Sequence, residues 1–231
     1  MIKFKRISLK LSGEALGNSE VIDFEAVKRI AVEIKTLCDA GVEVGVTLGG
    51  GNIWRGRSSG AMDRNRADQM GMLATVINSL AMEAVLNELG VPCKVLGATP
   101  MERVCDTFTS ARAEEEFAAG KVLIFAAGTG LPFFSTDTAA ALKAAETGAD
   151  ALFLAKNVDG VYSDDPKRNP NAMRFTHLSY DEVITKNLQA TDITAITLCR
   201  ERRIPIVVFA IKQEGSILRA AEGGDVGTLI D

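Results

Sequence analysis

Three short runs of this chain, 122–126, 151–154 and 206–209, are apolar without interruption, and a fourth, 42–46, departs from that only at Glu43 and the small Gly45. A strand with one wetted face alternates apolar and polar residues; a strand covered on both faces has no polar positions to fill. The segments between these runs carry helical spacing instead. Val27, Ile30, Ala31, Ile34, Leu37 and Cys38 follow a candidate cap at Asp23 and stop before Gly41. Met70, Leu73, Ala74, Ile77, Leu80, Ala81, Ala84 and Val85 mark a long helix over 68–89, opened by Asp68 and stopped by Gly90. Further helices are predicted at 114–119, 139–146, from Asp192 through Arg202, and at 216–221, with capping-box spacing at Ser179 and Glu182. Strands are added at 7–11 and 93–96, the run at 206–209 reads as a late one, and a loop or small hairpin is placed at 157–166. This alternation predicts an α/β fold, a three-layer αβα sandwich around a mostly parallel sheet. At 231 residues, with no internal repeat, the chain fits one domain.

In such a sheet, ligands sit beyond the carboxyl ends of the strands. Four features fall there: Lys10, the loop around 49–55, the loop at 128–137 and the loop at 156–165. Gly49, Gly50 and Gly51 remove three successive Cβ atoms, so the backbone is free to take positive φ and to approach an anion with its N–H groups. Arg55 adds a planar fork suited to phosphate or carboxylate. Lys10 reads as a charge for a transferring phosphate or as a gatekeeper on an edge strand. Asp137 either orients Lys10 or caps the helix that follows; the two roles are compatible. Asp68 is placed to favour a helix dipole or to accept from sugar hydroxyls. Trp54 reads as packing, and Phe133 and Phe134 as partly core or as walls for a flat ring. Asp159, Asp164 and Asp165 lie in turn signals, Asp-Gly and Asp-Pro, rather than in a metal-binding pattern.

Several classes are disfavoured. A formal net charge of −4 argues against nucleic acid as the main partner, since sequence-independent binding needs a broad basic surface. The basic start of the chain leads into Ile7-Ser8-Leu9-Lys10-Leu11 rather than a signal segment, and no stretch is read as approaching a membrane-spanning length. Four scattered cysteines without a Cys-x-x-Cys pair read as reduced core residues of a cytoplasmic protein, and one histidine makes a histidine-based zinc site improbable. No P-loop occurs, Gly128-Thr129-Gly130 lacks the third glycine of a dinucleotide fingerprint, and the protein-kinase signatures are missing. A lysine, an arginine, glycine amides and an aspartate still suit phosphoryl transfer, whose loose transition state asks mainly for positioning and charge.

The segments Lys10-Leu11-Ser12-Gly13-Glu14-Ala15-Leu16, Gly49-Gly50-Gly51-Asn52-Ile53-Trp54-Arg55-Gly56, Asp68-Gln69-Met70-Gly71-Met72-Leu73-Ala74-Thr75, Gly128-Thr129-Gly130 through Asp137, and Val158-Asp159-Gly160-Val161-Tyr162 closely resemble those of bacterial uridylate kinases in the amino acid kinase superfamily. The resemblance spans nearly the whole chain. It implies the amino acid kinase fold, akin to carbamate kinase, with an acceptor lobe over roughly 1–150 and an ATP lobe over roughly 151–231. It implies in-line transfer of the γ-phosphate of Mg-ATP to UMP, in pyrimidine nucleotide synthesis, by a cytoplasmic homohexamer. By the same resemblance Lys10, Leu11, Ser12, Gly13 and Gly51 hold the ATP phosphates, and Arg55 contacts phosphates near the reaction centre. Gly50 offers its N–H to the UMP phosphate, Asp68 takes the ribose, and Thr129, Gly130, Leu131, Pro132, Phe133, Phe134, Ser135 and Thr136 wrap the uracil and acceptor phosphate. Asp137 organises Lys10; Lys156 or Asn157, Tyr162 and Asp165 line the adenine-ribose end; Asp192 supports the site. Magnesium arrives with the nucleotide, and no protein ligand for it is named. Two departures stand out: the segment 17–21 is shorter than the glycine-rich stretch of many relatives, and Leu131 replaces an asparagine, removing a side-chain contact to uracil. A kinase with a carboxylate or carbamate acceptor and an oxyanion-storage protein remain the alternatives.

Overall fold

A computed structural model describes residues 1–17, 20–55, 62–166, 168–189 and 191–231. In chain order its elements are strand β1 (Arg6–Leu11), a 3-10 turn (Gly13–Ala15), helix α1 (Phe24–Asp39), β2 (Glu43–Leu48), α2 (Arg64–Glu88), β3 (Cys93–Gly97), β4 (Asp106–Thr107), α3 (Ser110–Ala118), β5 (Val122–Ala126), α4 (Thr136–Glu146) and β6 (Ala151–Lys156). There follow β7 (Val161–Tyr162), β8 (Arg174–Phe175), β9 (His177–Leu178), α5 (Tyr180–Thr185), α6 (Ile193–Arg202), β10 (Ile206–Ala210), α7 (Ser216–Ala221) and β11 (Gly227–Ile230). Nine strands form one sheet in the order β4-β3-β5-β2-β1-β6-β10-β11-β9, with β7 and β8 as a separate antiparallel ribbon. Within the nine-stranded sheet every neighbouring pair is parallel except β10 with β11.

The apolar runs are buried on both faces, as their composition requires. On β6, Phe153 and Ala155 join the core beneath α1, α2 and α7, whereas Leu152 and Leu154 join the core beneath α4, α5 and α6. β1 lies at the middle of the sheet, so Lys10 is not an edge gatekeeper. Its strand turns Ile7, Leu9 and Leu11 toward α1 and Ser8 toward α4, where the hydroxyl donates to the Ala140 carbonyl at 3.1 Å. Buried Ala139, Ala140, Ala141 and Ala144 make α4 narrow on its sheet side, which lets it lie over the two polar positions of β1.

Several helix starts differ from the sequence reading, and for one reason. α2 begins at Arg64 with Asp63 as its cap, accepting from the Arg66 N–H at 3.2 Å, so Asp68 lies a turn inside the helix rather than opening it. α3 begins at Ser110 behind Thr109, and α4 at Thr136 behind Ser135. Each first turn is polar or small, so apolar periodicity registers only a turn later. α2 also corrects the expectation about long apolar stretches. It has 25 residues, with an 18-residue window of mean hydropathy 1.3, long and apolar enough by composition to cross a membrane, yet half of that window is buried in this fold. The loop or small hairpin expected within 157–166 is there only as the first strand of a longer hairpin, β7 with β8, whose second strand falls beyond those bounds and whose loop contains Asn169 and Pro170. Cys105 and Cys199 are buried, while Cys38 and Cys93 are only partly so; all four are unpaired.

Candidate active site

A cleft of about 550 Å3 opens beyond the carboxyl ends of β1, β2, β5 and β6. Lys10, Gly50, Gly51, Asp68, Thr129, Leu131, Phe133, Phe134, Ser135, Thr136, Asp137, Lys156 and Asp192 line it, so most of the residues singled out from the sequence converge there. Trp54, Arg64, Met72, Thr75, Gln189 and Thr191 line it as well.

At its floor, Asp137 in the first turn of α4 meets two ammonium groups and a hydroxyl. Lys10 Nζ lies 2.7 Å from Oδ1, Lys156 Nζ lies 3.2 Å from Oδ2, and the Thr191 hydroxyl donates to Oδ2 at 2.6 Å. Burial alone would push the Asp137 carboxyl up; the two ammonium groups and the hydroxyl overcome that and hold it well below the usual carboxylate range. Asp137 is therefore an ionised organiser of lysines. Its helix is capped by Ser135, whose hydroxyl accepts from the Thr138 N–H at 3.0 Å. Lys156, expected at the adenine-ribose end, lines the cleft with its ammonium group on Asp137.

Asp192 caps α6 by accepting from the Ala195 N–H at 2.9 Å. The same carboxylate accepts from the hydroxyls of Ser135, in a short contact, and Thr138, at 2.8 Å. One side chain thus ties the start of α6 to the start of α4, where Asp137 sits.

The glycine loop works differently from expectation. None of Gly49, Gly50 and Gly51 adopts a positive φ. What the loop uses is the missing Cβ. A Cβ on Gly50 would lie 2.8 Å from Ala74 Cβ and 2.8 Å from the Gly71 carbonyl oxygen, and one on Gly13 would lie 2.7 Å from the Gly51 nitrogen. Backbone therefore packs on backbone between the ends of β1 and β2 and on the flank of α2, while Gly51 faces open space. Two asparagines fix the loop from below. Asn52 and Asn78 exchange amide hydrogen bonds at 3.1 and 2.8 Å, and Asn78 also donates to the Gly49 carbonyl at 2.7 Å. Trp54 donates from Nε1 to the Ala67 carbonyl at 2.9 Å, a packing role with one edge on the cleft.

The loop after β5 is strained where it faces the cleft. Ala127 and Phe133 both have positive φ, 63° and 72°, a conformation that side chains disfavour. Each is pinned from α2: the Thr75 hydroxyl accepts from the Ala127 N–H at 3.0 Å, and Asp68 accepts from the Phe133 N–H at 2.8 Å. Asp68 also pairs with Arg64, whose guanidinium stands 5.8 Å from the centre of the Phe133 ring. Of the two readings of Phe133 and Phe134, core and cleft wall, the exposure of both rings on the cleft fits the wall, and Leu131 is exposed beside them.

The remaining candidates lie outside this cleft lining. Arg55 makes a short ion pair with Glu14 and donates to the Gly51 carbonyl at 3.1 Å, and Asn157 donates to the same Glu14 at 3.1 Å. Tyr162 donates to Asp159 at 2.7 Å, and Asp165 faces Arg168 at 3.7 Å. The Ser12 hydroxyl is buried with no hydrogen-bond partner among the described residues. Gly56 of the glycine motif, and Asn18 and Ser19 of the shortened segment, lie outside the described residues. Among the described residues no group of three or more His, Cys, Asp or Glu side chains is placed to hold a metal ion. Thr191 and Thr75 were missed as functional residues. Thr75 stands inside the motif quoted above, whereas nothing local marks Thr191, whose role arises only when α6 docks on α4.

Residues 5–210 match the model of the amino acid kinase family. A uridylate kinase from Methylococcus capsulatus is 49% identical, the match covering 98% of this chain and 97% of that protein. Among solved structures, the UMP kinase of Ureaplasma parvum superposes with a TM-score of 0.94 at 40% identity, covering 100% of both chains. The UMP kinase of Bacillus anthracis gives 0.94 at 37% identity over 99% of this chain and 96% of the other. A uridylate kinase from Archaeoglobus fulgidus gives 0.75 at 26% identity, over 98% and 100%.

Proposed function

The chain belongs to the amino acid kinase family, and from that premise we propose that it moves the γ-phosphoryl group of ATP onto UMP. It is a nucleoside monophosphate kinase, and its expected setting is the cytoplasm and pyrimidine nucleotide synthesis. The observation that carries the reading is the Lys10–Asp137 pair on the floor of a cleft whose walls are the Gly50–Gly51 backbone and the loop at 128–136.

The chemistry asks little of acid or base. An oxygen of the UMP phosphate attacks the γ-phosphorus as the bond from that phosphorus to the bridging oxygen breaks, its electron pair leaving with ADP. The ATP tetra-anion and UMP dianion give ADP and UDP trianions, so no proton changes hands. A cleft of cations and backbone donors suits such a reaction. The single histidine, His177 on β9, is engaged 2.6 Å from Asp231, which follows β11, in keeping with a transfer that needs no base.

On the acceptor side we assign Gly50 to the UMP phosphate, Asp68 to the ribose, and Thr129, Gly130, Leu131, Pro132, Phe133, Phe134, Ser135 and Thr136 to the base and phosphate. Arg64, beside Asp68, is a further cation within reach of that end. On the other side we assign Leu11, Ser12, Gly13, Gly51 and Arg55 to the ATP phosphates, and Asn157, Tyr162 and Asp165 to adenine and ribose. The uncompensated Ser12 hydroxyl supports the first of these, since a buried donor without a partner costs stability that a phosphate oxygen would recover. We assign magnesium to the substrate, Mg-ATP: Asp137 is engaged by its lysines, and among the described residues no carboxylate cluster is placed to hold the ion. The lobes are expected over roughly 1–150 and 151–231. A homo-oligomer, with a hexamer as the expected state, is supported by exposed Met70, Leu73 and Ile77, an apolar stripe at helical spacing on α2.

The deciding experiment measures ADP release from Mg-ATP against UMP, CMP, dUMP, acetylglutamate and carbamate, with products identified by mass. UDP formed with UMP alone is expected. Silence with every acceptor would reject the assignment in favour of oxyanion binding.

A further inference from the structure

The residues assigned to adenine and ribose ride on the β7–β8 ribbon and the turn that leads into it: Asn157 follows the end of β6, Tyr162 is the second residue of β7, and Asp165 lies in the ribbon's loop. The ribbon is slight. Its strands pair at Val161 with Phe175 and at Tyr162 with Arg174, with a further bond from the Ser163 N–H to the Met173 carbonyl at 2.9 Å, and two strands of that length are marginal by themselves. A buried side chain fastens them to the nine-stranded sheet. Thr228 on β11 is fully buried, and its hydroxyl accepts from the Val161 N–H at 2.8 Å while donating to the Phe175 carbonyl at 2.5 Å. Both strands thus meet one hydroxyl at the rung where Val161 faces Phe175. Packing does not ask for that hydroxyl: Thr228 stands opposite Val208 and on the same face as Ile230, in an apolar layer that a valine would fill as well. Gly160 leaves the room for it, since a Cβ there would stand 2.7 Å from Thr228 Oγ1 and 3.0 Å from Arg174 Cδ. Arg174, laid against Gly160, donates to the Asp159 carbonyl at 3.1 Å, and the Asp159 carboxylate accepts from the Tyr162 hydroxyl at 2.7 Å. Contacts therefore run unbroken from Thr228 to Tyr162.

We propose that Thr228 is a positioning residue for the donor nucleotide: buried beneath the ribbon, it touches no substrate, and through the Val161 N–H and the Phe175 carbonyl it sets how Asn157, Tyr162 and Asp165 are presented to adenine and ribose. This rests on the assignment of those three residues to ATP made above. Removing the hydroxyl strands a buried donor and a buried acceptor, which the ribbon satisfies by shifting away from the sheet. The nucleotide loses its fit at the adenine end, while the transferring group, which meets Lys10 and the glycine loop, keeps its surroundings.

The test is the dissociation constant for ADP, measured by isothermal titration calorimetry on the full chain and on Thr228→Val, Thr228→Ser and Gly160→Ala. Steady-state UDP formation from Mg-ATP and UMP and thermal unfolding midpoints are recorded beside it. Valine keeps the shape and drops the hydroxyl, serine keeps the hydroxyl, and alanine at 160 crowds the same joint from the ribbon side. We expect ADP to bind about tenfold more weakly to the Val and Ala variants and the KM for ATP to rise by about as much, with kcat and the KM for UMP changed less than about threefold. Serine is expected within about threefold of wild type throughout. Unchanged ADP binding in Thr228→Val would overturn the proposal. So would a loss shared equally by kcat and both KM values, or a Ser variant no better than Val, since either marks general loosening rather than positioning. Should Thr228→Val not fold, the same expectation is read from Gly160→Ala. A wild-type chain that binds ADP but makes no UDP rejects the transferase reading and leaves the ADP affinities to decide on Thr228, whereas UDP formed beside an unimpaired Thr228→Val rejects only the positioning role. A wild-type chain that binds no ADP ends both.

Discussion

The two ends of the candidate site are held in opposite ways. At the acceptor end, Asp137 on α4, Asp192 capping α6, and Thr75 and Asp68 on α2 each engage two or more partners, and together they fix a loop whose backbone is strained at Ala127 and Phe133. At the nucleotide end, Arg55, Glu14 and Asn157 are exposed and hold one another. The first arrangement has its geometry fixed before any ligand binds, and the strain is borne by packed helices. The second consists of surface pairs worth little apiece, which can exchange partners when a phosphate competes for Arg55. The contrast teaches where substitution should damage turnover and where it should merely shift affinity.

The sharpest way to break the comparison is Asp137→Asn. It removes the negative charge that Lys10 and Lys156 share, and kcat should fall by about two to three orders of magnitude with little change in the KM for UMP, read from initial rates. The same carboxylate makes a pH prediction. Its pKa is depressed in the fold, so between its unfolded value, about 3.9, and its lower folded value the unfolded chain binds more protons, and stability falls as pH falls. The stability gap between wild type and Asp137→Asn in urea should be full at neutral pH and shrink once pH drops below that unfolded value; a gap unchanged at low pH would mean the carboxylate is not ionised in the fold.

Asp192→Ala comes next. It removes a helix cap and strands the Ser135 and Thr138 hydroxyls, so a loss of about 2 kcal/mol in urea unfolding is expected, with a smaller loss in kcat as α4 shifts. Asp68→Asn should raise the KM for UMP by about fivefold to tenfold, since asparagine still accepts from the Phe133 N–H but no longer balances Arg64. An unaltered KM would remove Asp68 from the acceptor end. The smallest effect belongs to the nucleotide end: Glu14→Gln should cost less than about 1 kcal/mol and change the KM for ATP less than about threefold. A large loss of kcat there would erase the distinction between the two ends.

The sheet was legible because a strand buried on both faces advertises itself in a run such as Leu123 to Phe125, and the convergence of Lys10, Gly50 and Asp137 followed from placing those runs in parallel. The helix starts were not, because Arg64, Asn65 and Arg66 carry no apolar period to register. The glycine loop was located correctly and explained wrongly: Gly50 is needed for the close approach of α2, not for positive φ. Thr191 and the second role of Asp192 were invisible because both depend on α6 docking against α4, a contact between elements more than a helix apart in sequence. The placement of Lys156 on Asp137 was likewise hidden by its position beside Asn157, which points elsewhere.

Lys10, Asp137 and Lys156 come from three well-separated parts of one chain, and β1 is paired on one side by β2 and on the other by β6. During synthesis, then, β1 and β2 are available to pair while the lysine on β1 has neither its counter-ion nor its second strand. That half-sheet has a raw edge and a solvated cation at what will become its centre, and only the arrival of α4 and β6 lets water leave. The chemistry of the floor is for this reason also tied to folding order: a chain stopped before β6 lacks both Lys156 and the Asp192 that ties α6 to α4, so the floor and the loop above it are completed together.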